Sequence, residues 1–145
     1  MGVKSIREAV GAAVTAHLVA QNFPAGVQVL PGLSANKLAP PMVVASVDTV
    51  GPHPDIPEGW GNFSATVSVA IVSPARIANA EAFHGQLSEI AANAMADEAG
   101  LRAVFVSQND AKMYFAIFRS QEDRVGEDHF GKILSYELLG VLDPA

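Results

Sequence analysis

Ile6, Val10, Ala13, Val14 and Leu18, with His17 beside them, recur at three- and four-residue spacing and form one stripe, the mark of an amphipathic helix. Ser5-Ile6-Arg7-Glu8 has the S-x-x-E form of a capping box, so the helix is predicted over residues 6–21, where Asn22-Phe23-Pro24 stops it. Residues 26–30 are a brief β-like run closed by Pro31-Gly32, and residues 34–41 read as irregular. Residues 42–50 are β-branched and mostly apolar. Three prolines and three glycines within residues 51–61 exclude regular structure there.

At Phe63 the period changes to two: Phe63, Ala65, Val67, Val69 and Ile71 share one face, and Ser64, Thr66 and Ser68 share the other, which predicts a strand over residues 63–73. Ser73-Pro74 then reads as the start of a second helix with the stripe Phe83, Leu87, Ile90, Ala91, Ala94 and Met95, ended by Gly100 as a left-handed stop. Residues 102–108 and 113–120 flank the turn-rich Asn109-Asp110-Ala111-Lys112 and are predicted as a hairpin. Both runs are apolar on two faces, so they belong at a sheet centre or an interface. Residues 121–129 are polar and acidic, and residues 130–142 form the last predicted strand. The order is α-β-β-β-α-β-β-β, an α+β fold with a mostly antiparallel sheet and two helices packed on one face. In the last strand Phe130, Leu134, Tyr136, Leu138 and Leu142 point one way and Ile133, Leu139 and Val141 the other, so a lone copy is expected to leave apolar strand surface wet.

The chain has 145 residues, the size of one domain, with no internal repeat. Half of the residues are hydrophobic and only 17% are charged, and the mean hydropathy is +0.25. That is ample for a core and leaves an apolar exterior, which again points to an assembly of copies. Nine basic residues against 15 acidic ones give a net charge of -6, which disfavours a grip on phosphate backbones. Cysteine is absent, so disulfides, thiolate metal sites and cysteine nucleophiles are excluded. No export signal or membrane helix is read, and a soluble chain made inside the cell is expected.

Chemistry is sparse. His17, His53, His84 and His129 lack H-x-x-x-H or H-E-x-x-H spacing, so no metal site is assigned. No G-x-S-x-G elbow and no phosphate-binding glycine loop is present. His17 lies beside the first helix stripe and His84 at the flank of the second. Glu122-Asp123 and Glu127-Asp128 lie in a polar segment around Arg124, read as a solvated loop. Trp60, the single tryptophan, sits in the proline-rich loop, where it plugs the core or anchors a partner.

The whole-chain order, with a capped helix, a strand pair ending in an extended Pro and Gly loop, a strand, a long Ala-rich helix, a hairpin and a closing strand Phe130-Gly131-Lys132-Ile133-Leu134-Ser135-Tyr136-Glu137-Leu138-Leu139-Gly140-Val141, resembles the tail terminator proteins of long-tailed bacteriophages. The resemblance covers nearly the full chain. It implies a homohexameric ring in the virion that caps the tail tube, stops its growth and offers the surface to which the head attaches. Partners would be the tail tube protein and the neck or head-completion proteins, with DNA passing through without specific binding. That family has no enzymatic activity, so neither catalytic residue nor cofactor is expected. Trp60, Phe130, Leu134, Tyr136 and Leu138 are the expected interface residues, and Glu122, Asp123, Glu127 and Asp128 the expected lumen-facing acids. Two alternatives stand beside this reading: a neck or head-completion protein, and a small ligand-binding or enzymatic α+β domain using His17 or His84.

Overall fold

In a computed structural model that describes residues 6–32, 40–51, 62–109 and 111–142, the chain forms α1 (Ile6–Val19), β1 (Gln28–Pro31), β2 (Met42–Gly51), β3 (Asn62–Pro74), α2 (Ala80–Ala96), α3 (Glu98–Asn109), β4 (Ala111–Val125) and β5 (His129–Leu142). The five strands make one sheet in the order β1-β2-β3-β5-β4. Only the β1–β2 pair is parallel; the other three are antiparallel. The fold is α+β. Among the described residues no helix is long and apolar enough to cross a membrane.

The period-two pattern of β3 does what it promises. Phe63, Ala65, Val67, Val69 and Ile71 are buried beneath the helices together with Leu134, Tyr136 and Leu138 of β5, which the register sets beside them. Val10, Ala13, Val14 and Leu18 of α1 and Leu87, Ala91, Ala94 and Met95 of α2 close the same cluster. The other sheet face carries Ser64, Thr66 and Ser68, half-buried. Ser5, and with it the capping box, lies outside the described residues.

Three expectations are corrected. First, residues 102–108 are helical. Asp97 ends α2 by donating its N–H to the carbonyls of Asn93 and Ala94, then opens α3, its Oδ1 accepting the Gly100 N–H at 3.1 Å. Gly100 therefore stands in the first turn of α3 and is no left-handed stop. A Cβ there would collide with the Asp97 carboxylate and lie 3.1 Å from His17 Cε1. Leu101 and Phe105, four residues apart, fall on one helix face and are fully buried. Among the described residues the helices thus number three, and α3 rather than a strand precedes β4, so the expected hairpin of residues 102–108 with 113–120 does not form.

Second, Ser73 and Pro74 remain in β3, and α2 starts six residues later, behind Asn79 at φ 57°. Third, the polar stretch of residues 121–129 is largely strand. β4 runs on to Val125, and the hairpin turn is closed by the Gly126 N–H donating to the His129 carbonyl at 2.9 Å. Glu122, Asp123 and Arg124 tolerate strand geometry because β4 is an edge strand whose end projects past the helix layer into water.

Candidate functional site

Among the described residues β4 has a neighbour on one side only, and it is 15 residues long. The opposite edge, β1, has four residues and ends in Pro31, a short and blunted edge. Along β4 and the facing side of α3, large apolar side chains stand in water: Phe115 is 56% exposed, Phe118 53%, Tyr114 44%, Val106 54% and Val125 81%. Two bulges, at Tyr114 and Arg119, interrupt the β4–β5 register. At the first, the Arg102 guanidinium reaches over from α3 and donates to the Tyr114 carbonyl at 2.8 Å while also binding Glu98 at 2.7 Å. A run from Phe115 to Phe118 is straight between the bulges. Phe118 meets Tyr136 edge to face, with ring centroids 5.6 Å apart.

Two open grooves flank this edge. One, of about 530 Å³, is lined by Arg102, Val106, Lys112, Met113, Tyr114 and Phe115. The other, of about 520 Å³, lies between the α2–α3 junction and the sheet and is lined by Met95, Glu98, Ala116, Phe118, Leu134 and Tyr136. Exposed aromatic side chains beside an open ladder are groups that a second polypeptide would cover.

The expected interface residues fare differently. Leu134, Tyr136 and Leu138 are spent in the chain's own core, with Leu138 wholly buried; their side chains are committed to the helices, and burial pushes the Tyr136 phenol pKa up. Phe130 is half-buried against His84, centroids 5.6 Å apart. Trp60 and His53 lie outside the described residues. The exposed large apolar side chains of the sheet sit one strand over from these residues, on β4. Their signal was the two-faced apolar run of residues 113–120, already marked as a sheet centre or interface.

The four carboxylates do not form a bare negative patch. Glu122 pairs with Arg124 at 3.4 Å, Asp123 with Lys132 at 3.6 Å and Asp128 with Arg76 at 3.1 Å. Such exposed pairs are worth little energy but cancel local charge. Glu127 gives its backbone carbonyl to Arg76.

His17 and His84 line neither groove. His17 is buried and donates Nε2–H to the Ala94 carbonyl at 2.8 Å, tying the ends of α1 and α2. His84 Nδ1 is hydrogen-bonded to the Ser73 hydroxyl at 2.7 Å. Burial and then the Lys132 charge lower its pKa, against an opposing pull from Asp123. Ser73 is fully buried, so its hydroxyl is out of reach of a substrate. Among the described residues no three metal-ligating side chains converge. Compared with known proteins, the chain matches no family model and no curated sequence.

Proposed function

We propose that this chain is a structural subunit of a phage-type tail, closing into a ring that caps the tail tube, ends its growth and receives the head. The observation that carries the reading is the β4 edge, a 15-residue strand open on one side with Tyr114, Phe115 and Phe118 exposed along it. A subunit that lives permanently against neighbours keeps such an edge, whereas a chain that stays alone blunts it. The whole-chain resemblance to tail terminators supplies the kind of assembly. In that setting one ring face meets the tube protein and the other the neck proteins, and the acidic balance of -6 per copy keeps passing DNA from adhering.

The test is electron microscopy of the purified chain mixed with growing tail tubes. A sixfold ring at one tube end, with tube length fixed by its arrival, is the expected result. Tubes that continue to lengthen, with no density added at their ends, overturn the reading.

A further inference from the structure

A six-membered polar ring uses head-to-tail contacts, but the two edges of this sheet are badly matched for joining one another, since β1 has four residues against the 15 of β4. The edge that equals β4 in length is another β4. Its sequence is also complementary to itself when reversed. In an antiparallel pairing with Ile117 on a two-fold axis, Lys112 falls opposite Glu122, Met113 opposite Gln121 and Ala116 opposite Phe118. These matched positions lie on the same faces. Lys112 and Glu122 pair with Val141 and Ile133 of β5 on the helix-free side, whereas Ala116 and Phe118 pair with Leu138 and Tyr136 on the helix side. A cation on an edge strand ordinarily repels like strands; here each Lys112 would meet a carboxylate instead. The straight run between the bulges lies at the centre of the pairing.

We infer that two copies of the free chain pair through β4, joining two five-stranded sheets into one and hiding Phe115 and Phe118 until assembly. Because β4 serves one neighbour at a time, the dimer and a ring that uses this edge exclude each other. The dimer is therefore a dormant form that opens when the chain meets its assembly partner.

The chain has no cysteine, which makes a direct test available. Directly opposed strand positions approach within roughly 4.5–5.5 Å, near disulfide reach, so Ile117→Cys in the full chain is expected to give a reducible, disulfide-linked dimer under mild oxidant. Ala82→Cys, on the exposed side of α2, is the background control and should stay monomeric. A folded Ile117→Cys chain that links no more than this control overturns the pairing. Should that variant not fold, sedimentation of the charge variants decides. Lys112→Glu should weaken self-association about tenfold or more, and adding Glu122→Lys should restore it; an unmoved single variant or an unrestored double variant overturns the register and the dimer with it. A monomer that still rings tube ends refutes the dimer alone, and a dimer that never rings them refutes only the proposed function.

Discussion

Gly140 of β5 lies so close to Phe63 of β3 that a Cβ on it would stand 2.8 Å from the ring Cζ, besides colliding with the Lys112 carbonyl of β4. Three strands converge on one missing methyl group, and two of the obstacles are backbone atoms that cannot turn aside. Gly140→Ala is expected to lower stability by about 1–3 kcal/mol through overpacking. Gly85, on the exposed side of α2, has nothing within 4 Å of the same position, so Gly85→Ala should raise stability by about 1 kcal/mol. Urea unfolding of both variants reads the contrast, and equal midpoints would contradict it.

Phe105 stacks on Phe63 with centroids 6.4 Å apart and an interplanar angle of 20°. This pair joins α3 to the sheet. Phe105→Ala is expected to cost about 3–5 kcal/mol, whereas truncating the exposed Val106 next to it should change stability by less than about 0.5 kcal/mol. Thermal or urea melts of both variants check that α3 turns Phe105 to the sheet and Val106 to water.

Most of the fold was legible because period is a local property. The stripe of α1, the alternation of β3 and the stripe of α2 fixed three elements that the structure confirms. Residues 102–108 misled because Val104, Phe105 and Val106 are β-formers, while Val104 and Phe105 also satisfy a helical spacing with Leu101; the deciding signal, Asp97 as a cap with Gly100 three residues on, reads equally as a helix stop. The continuation of β4 through Glu122 and Asp123 was hidden by charge, since an edge strand beyond the helix layer needs no apolar side. The candidate surface was half legible. A run with apolar residues on both sides announces a covered strand, but which strand ends up at the edge depends on the order β3-β5-β4, a tertiary fact with no local signal.

His17 ties the end of α1 to the end of α2 through the Ala94 carbonyl, and it packs against Gly100 of α3. Removing the imidazole strips a buried carbonyl of a partner and opens space where three helices meet. His17→Ala should cost about 1–3 kcal/mol, and hydrogen exchange should show faster opening of amides near Ala94 and Asp97. Unchanged exchange there would mean that the link does not hold the junction.

The aromatic edge separates stability from assembly. Phe115 is more than half exposed, so Phe115→Lys should leave the unfolding midpoint within about 0.5 kcal/mol of the parent. Placing a charge on an edge strand discourages pairing, so the same variant should lose self-association and tube capping together. Sedimentation and negative-stain counts of capped tubes measure both, and full capping by this variant would remove β4 from the interface.

His84 gives the chain a pH dependence whose direction follows from its surroundings. Burial comes first, and the Lys132 ammonium second, in holding its pKa below the ordinary 6.5, with Asp123 pulling the other way. The folded chain therefore resists a proton that the unfolded chain accepts. Above about pH 6.5 both states keep a neutral ring, and the full contribution of the Ser73–His84–Phe130 contacts is present. As the pH falls from there through the depressed folded value, the unfolded chain is protonated first and stability declines, levelling off once the folded ring is charged too. His84→Asn can keep a hydrogen bond to Ser73 but does not titrate, so its melting temperature should fall less than the parent's between pH 7.5 and 5. Parallel curves would show that the acid limb is not set by His84.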